Sequence, residues 1–171
     1  MQTGDIQPLS SLFNEYYQAL CRFVYLYISE KETTEELAAN VFISLWENKH
    51  KINIKTSLKA YLYKSAKNQA MSYLRKKRIE SVSIEDNIDF IIKEKTPESI
   101  FIEKELDKKF AQAFSKLPNR AKLAFKLHRF DGLRYSEIAE IMAISVPAVE
   151  KNITTALKIL HKELKNSIQV F

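Results

Sequence analysis

Glycine and proline are scarce: the 171 residues hold two of the first, Gly4 and Gly132, and four of the second. Closely spaced strands need turn residues, so a sheet-rich fold is excluded and an all-α class is expected. Cysteine occurs once, at Cys21, which rules out an internal disulfide and fits a reducing cytoplasm. No run reaches the roughly 18 consecutive apolar residues of a membrane-spanning helix, and Phe23-Val-Tyr-Leu-Tyr-Ile28 is far too short. The N-terminus lacks a basic stretch leading into an apolar run, so no secretory signal is read there. The three histidines (His50, His128, His161), Cys21 and the scattered carboxylates show neither metal-ligand spacing nor a nucleophile with its base. A glycine-rich phosphate loop is also missing. Catalysis, a cofactor, a bound metal and a small-molecule substrate are therefore not expected.

What the chain has instead is uneven charge. The formal net charge is +6. Residues 1–79 carry twelve Lys/Arg against seven Asp/Glu, residues 80–98 two against six, and residues 99–171 thirteen against eight. Two basic blocks thus flank an acidic bridge that has no sustained helical period and ends near Pro97, which reads as a linker between two small helical domains. The expected boundaries are 1–79, 80–98 and 99–171.

Periodicity supplies the elements. Leu12, Phe13, Tyr16, Tyr17, Leu20, Phe23, Val24, Tyr27 and Ile28 recur at helical spacing and predict a first helix. Thr33 followed by Glu36 forms a capping-box pattern, so a second helix is expected from about Thr34, with Leu37, Val41 and Leu45 on its inner face and Trp46 closing it. A third helix is expected from about Ser57 to Arg78. In the second block an amphipathic stretch with Ile100, Leu106, Phe110, Phe114 and Leu117 breaks at Pro118. A run from Ala121 to Phe130 follows, ended by Asp131-Gly132. Two further helices are expected at Tyr135 to Met142 and Val146 to Leu164.

From Lys49 to Arg78 there are ten lysines or arginines and no acid at all. Such a stretch can neutralise phosphates, while Tyr61, Tyr63 and Tyr73 offer planar faces for unpaired bases; the bland alternative is a solubilised helix with inward tyrosines. The second signal is Tyr135-Ser-Glu-Ile-Ala-Glu-Ile-Met-Ala-Ile-Ser-Val-Pro-Ala-Val149, which has helix-turn-helix spacing. Ile138, Ala139 and Met142 should pack, Ile144 should fill the corner, and Ser145 should cap a helix whose first turn tolerates Pro147. Val146, Val149, Ile153, Leu157 and Leu160 are expected to face inward. That leaves Ala148, Lys151, Asn152, Thr155 and Lys158 facing a DNA groove, unless the motif is a plain helical hairpin.

These two blocks, in this order, resemble regions 2 and 4 of an extracytoplasmic-function sigma factor of the sigma-70 family. The carrying residues are Glu35-Glu-Leu-Ala-Ala-Asn-Val-Phe42, Tyr61-Leu-Tyr-Lys-Ser-Ala-Lys-Asn-Gln-Ala-Met-Ser-Tyr-Leu-Arg-Lys-Lys-Arg78, Leu117-Pro-Asn-Arg120 and Gly132-Leu-Arg-Tyr-Ser-Glu-Ile-Ala-Glu-Ile-Met142, followed by Ser145-Val-Pro-Ala-Val149. The resemblance implies binding to core RNA polymerase through Glu36, Ala39 and Asn40, and to the minus-ten promoter strand through Tyr61, Lys64, Lys67, Asn68 and Arg75. It also implies an upstream minus-thirty-five duplex read by the five groove-facing residues, and an anti-sigma partner of a kind often anchored in a membrane. Departures are present: Glu36 and Ala39 stand where an Asp and a Gln are usual, Tyr61 for Trp, Ser72 for Asp, and Ala143 for the turn glycine. Glu150-Lys-Asn-Ile153 is similar to a Bacteroidetes-type subgroup. Two readings of other classes remain beside this one: a helix-turn-helix regulator acting without polymerase, and a helical adaptor that binds only protein.

Overall fold

The computed structural model describes residues 9–80 and 105–168, and among these residues it forms seven α-helices and no strand. Contacts divide the chain into two compact units, Met1–Ile88 and Asp89–Phe171. The expected linker lies outside the described residues except for Glu80, the last residue of a helix. Ile100 also lies outside them.

The first unit packs α1 (Leu9–Tyr25), α2 (Lys31–Asn48) and α3 (Leu58–Glu80) against one another in all three pairings. Leu12, Leu20, Phe23 and Val24 of α1, Leu37, Ala38, Val41, Phe42 and Leu45 of α2, and Leu62, Tyr63, Ala66 and Ala70 of α3 are buried and form its core. The first helix ends before its apolar pattern does. Tyr27 and Ile28 sit in the following turn, both bonded through their N–H groups to the Val24 carbonyl, at 2.9 and 3.0 Å, and both stay buried.

The second helix starts three residues before the expected position. Thr33 does not accept a backbone N–H as a cap would; its hydroxyl bonds the Glu30 carboxylate at 3.2 Å. Thr34, buried, donates to the Ile28 carbonyl at 2.9 Å, which folds the entering chain back onto the helix. Helical bonding then begins with Thr34 N–H donating to the Glu30 carbonyl at 2.9 Å. Ser57 caps the third helix: its Oγ accepts from the Ala60 N–H at 3.0 Å.

The second unit is built around α7 (Val146–Ile168), which packs against α4 (Glu105–Ser115), α5 (Asn119–Arg129) and α6 (Tyr135–Met142). Ala113, Leu117, Ala121, Phe125, Ala156 and Leu160 form one apolar cluster. Lys122, itself buried, donates to the Ser115 carbonyl at 3.2 Å and so satisfies the end of α4. Gly132, at φ +66°, turns the chain into α6, and Leu133 N–H bonds the Leu127 carbonyl at 3.0 Å. His128 Nδ1 donates to the Leu133 carbonyl at 2.9 Å, which fixes that nitrogen as the protonated one. Its role in the fold is to close this turn.

Candidate nucleic-acid and partner interfaces

The helix-turn-helix is assembled from caps that can be named. Glu137, three residues into α6, reaches back to accept the Arg134 N–H at 2.7 Å. Ile138, Ala139 and Met142 are buried as expected. At the corner Ala143 adopts φ 54°, ψ 45°, and the Ile144 N–H bonds the Ala139 carbonyl at 3.1 Å. Ser145 then caps α7, its Oγ accepting from the Ala148 N–H at 3.2 Å. The inward stripe of α7 differs from the expected one. Val149, Ile153 and Leu160 are buried together with Ala156, whereas Val146 and Leu157 are 43 % and 53 % exposed. Small Ala156, clustered with Ala113, Leu117 and Leu160, takes the inner place that Leu157 was expected to fill.

The groove-facing set divides by exposure. Lys151 and Lys158 are exposed, while Ala148, Asn152 and Thr155 are half-buried. Asn152 Nδ2 donates to the Ala148 carbonyl at 2.8 Å, and the Thr155 hydroxyl donates to the Lys151 carbonyl at 2.8 Å. Both side chains therefore lean on their own helix, with their donor groups already engaged.

On α3, Tyr61, Lys64, Lys67, Asn68 and Arg75 fall on one side of the helix, opposite the buried Leu62, Tyr63, Ala66 and Ala70. Asn68 and Arg75 are exposed; Tyr61, Lys64 and Lys67 are half-buried. Tyr63 is not available for stacking on bases: it is 1 % exposed, with its ring 5.0 Å from that of Phe23. Tyr73 and Lys77 are both tied to Glu30, the residue that precedes α2. Lys77 Nζ lies 2.6 Å from Glu30 Oε1, and the Tyr73 hydroxyl donates to Glu30 Oε2 at 3.3 Å. The hydrogen bonds and charge of Lys77, with the Thr33 hydroxyl, hold the Glu30 carboxyl below its usual range, and Glu30 in turn pushes Lys77 up.

The expected polymerase residues lie on α2, with Glu36 exposed and Ala39 and Asn40 half-buried, while Leu37 and Val41 pack inward. The sequence reading missed their neighbours. Ile43 and Trp46 are 53 % and 52 % exposed and continue the Glu36–Ala39 row one and two turns further on. With Phe13 and Leu9 of α1 and Phe42 they line an apolar groove of about 550 Å³ between the two helices. Lys49 Nζ stands 3.6 Å from the Trp46 ring centroid at its rim. The signal was present: Phe42, Ile43 and Trp46 are the large apolar residues of α2 left over once Leu37, Val41 and Leu45 are assigned to the core, and of these only Phe42 is buried. Cys21 is half-buried beside Tyr17, and burial pushes its thiol up, against a role as a reactive thiolate.

Comparisons with known proteins bear on these surfaces together. Residues 12–79 match the family described as Sigma-70 region 2, and residues 107–160 match Sigma-70, region 4. The RNA polymerase sigma-H factor of Pseudomonas aeruginosa is 24 % identical, over 96 % of this chain and 90 % of its own length. The ECF RNA polymerase sigma-E factor of Haemophilus influenzae is also 24 % identical, with 96 % and 92 % covered. Among solved structures, the fold is shared with the sigma factor RpoE of Bartonella quintana, crystallised with its anti-sigma factor NepR, at TM-score 0.62 and 20 % identity over 91 % of this chain and 96 % of that one. It is shared as well with CnrH, solved in complex with the cytosolic domain of CnrY, at TM-score 0.60 and 17 % identity, with 96 % and 92 % covered. With regions 2 and 4 present in order, each on its own helical unit, the chain belongs to the sigma-70 family of RNA polymerase sigma factors, in its extracytoplasmic-function branch.

Proposed function

We propose that this sigma factor divides initiation among three surfaces: α2 docks on core RNA polymerase, α3 engages the minus-ten strand, and α7 reads the minus-thirty-five duplex. Residues 1–79 form the first module and 99–171 the second, tethered through 80–98. The observation that carries the reading is the row of exposed Glu36, Ile43 and Trp46 with half-buried Ala39 between them, on a unit that also bears the acid-free face of α3. A helix-turn-helix regulator needs neither of these surfaces, and a protein-binding adaptor needs no acid-free face. Glu36 and Asn40 form the polar edge of the polymerase contact, and the α1–α2 groove, with Ala39 in its lining, supplies its apolar area.

On α3, Lys64, Lys67 and Arg75 meet phosphates, Asn68 captures an unpaired base, and the half-exposed Tyr61 ring gives a stacking platform. On α7, Lys151 and Lys158 position the helix on the duplex. Asn152, once released from the Ala148 carbonyl, can pair with adenine, and Ala148 and Thr155 flank it. Region 4 carries the Glu150-Lys-Asn-Ile153 sequence of a Bacteroidetes-like subgroup. The protein acts in the cytoplasm; among its described residues no helix is long and apolar enough to cross a membrane. An anti-sigma protein, of a kind often anchored in a membrane, holds it inactive by covering the α2 face; the fold relatives RpoE and CnrH were solved with NepR and with the cytosolic domain of CnrY.

The test is co-elution with core RNA polymerase. Wild type should co-elute, and Glu36→Lys and Trp46→Ala should each weaken binding about tenfold or more with helical content unchanged. Unaltered binding in both variants would remove α2 from the polymerase interface.

A further inference from the structure

The inward stripe of α7 was expected at Val146, Val149, Ile153, Leu157 and Leu160, and it lies instead at Val149, Ile153, Ala156 and Leu160. At about 100° per residue, this turns the buried face by roughly 30° about the helix axis, and the outward face turns with it. The pole of the outward face falls between Lys151 and Lys158. Around it the two flanks are unequal. One carries Ala148, Asn152 and Thr155, all half-buried, with the amide and the hydroxyl bonded to backbone carbonyls. The other carries Val146, Glu150, Thr154 and Leu157, all exposed. Among the described residues no side-chain hydrogen bond or ion pair holds Glu150 or Thr154. Glu150 is also the only acid between Val146 and His161.

We propose that Glu150 and Thr154 are base-reading residues of α7, with Glu150 selecting a cytosine in the upstream duplex. This rests on the assignment of α7 to that duplex. A carboxylate brought among phosphates is repelled unless it meets a hydrogen-bond donor, and it can only accept. In the major groove, guanine presents N7 and O6, both acceptors, and thymine presents the O4 acceptor beside a methyl group. Adenine has the N6 donor, but next to the N7 acceptor. Cytosine alone offers an amino donor, N4, with no acceptor on its own major-groove edge. Glu150 lies in the second turn of α7, within the N-terminal part of a recognition helix that reaches base edges. Thr154 follows one turn later on the same side, between Glu150 and Lys158. Its methyl group, with the exposed Leu157 side chain, suits a thymine C5-methyl next to the selected cytosine. Lys151 and Lys158 at the pole offset the acid by contacting the flanking phosphates.

The experiment selects from a duplex library randomised across the upstream element, using the full chain assembled with core RNA polymerase. Wild type should enrich cytosine about tenfold over the other bases at one position. Glu150→Gln should change that position to adenine, because a glutamine amide donates to N7 and accepts from N6, and should leave the other positions as they were. Thr154→Ser, which removes the methyl group and keeps the hydroxyl, should weaken thymine enrichment next to it. The proposal is overturned if wild type shows no cytosine preference, or if Glu150→Gln keeps every preference while merely tightening binding to all sequences. Lys151→Ala and Lys158→Ala separate this from failure of the α7 assignment. If neither lowers affinity for any upstream duplex, α7 does not touch DNA and the proposal falls with its premise. If they do lower it while Glu150→Gln changes no preference, the carboxylate proposal alone is lost.

Discussion

At the corner between α6 and α7 a single residue sets the entry angle of the reader helix. Ala143 holds φ 54°, ψ 45°, a region in which a Cβ crowds the following carbonyl. The Schellman-type bond from Ile144 N–H to the Ala139 carbonyl keeps it there. Glycine takes this conformation without the crowding, so Ala143→Gly should stabilise the second unit by about 1 kcal/mol. For a unit of its size that is a rise of about 4–8 °C in Tm, readable by thermal denaturation; an unchanged or lower Tm would mean the corner is not strained. Gly132 is the opposite case. At φ +66° it already uses glycine's freedom, and a Cβ there would meet nothing within 4 Å. Gly132→Ala should therefore lower stability by about 1 kcal/mol through backbone strain alone. The turn at Gly132 was legible from Asp131-Gly132, and the corner at Ala143 from the helix-turn-helix spacing, because both signals are local. Tyr63 was not legible: its role as a core ring against Phe23 depends on a helix forty residues away in sequence.

At the scale of whole elements, the sequence pattern located every helix among the described residues, and it erred where two side chains compete for one inner place. Leu157 has the spacing of a core residue, but Ala156 lies closer to the centre of the buried face, and its small side chain lets α7 approach the Ala113–Leu117–Phe125 cluster. A stripe drawn from large apolar residues cannot see that. The start of α2 was misread for a related reason, since Thr33 looks like a cap until Glu30 is seen to receive its hydroxyl. Glu30 also joins two elements. It gathers Thr33 of α2 with Tyr73 and Lys77 of α3, so Lys77 is engaged by a carboxylate rather than presented only to phosphate. Glu30→Gln should raise the affinity of the full chain for random-sequence DNA and steepen its salt dependence by about one released counterion, measured by fluorescence anisotropy. The wild-type pair has a defined pH window. Because Glu30 is lowered and Lys77 raised, the contact is fully present above the ordinary carboxylate range and below that of lysine. It is lost as pH falls through the lowered value of Glu30. Below that point wild type and Glu30→Gln should bind alike, and a difference that persisted into acid would assign the effect to something other than this charge.

On the scale of the whole molecule, the charge pattern places two basic blocks on either side of a bridge with six acids and two bases at residues 80–98. Each basic block must bind promoter DNA when polymerase presents it, and must be kept off the rest of the chromosome when polymerase does not. Two sources of shielding are available. Glu30 engages Lys77 within the first unit. Glu85, Asp86 and Asp89 follow Lys76, Lys77 and Arg78 closely enough in sequence to compete for the same cations. Exposed charge pairs are weak, and screening extends only about 10 Å at 0.1 M salt, so any effect of the bridge belongs to low ionic strength. Neutralising Glu85, Asp86 and Asp89 together, to Gln, Asn and Asn, should raise affinity for random-sequence DNA about two- to fivefold at low salt and leave it unchanged at physiological salt. Glu30→Gln measured alongside apportions the shield. If that change strengthens binding and the triple neutralisation does not, the bridge serves as a tether alone. Restraint of the first unit then comes from the Glu30–Lys77 contact.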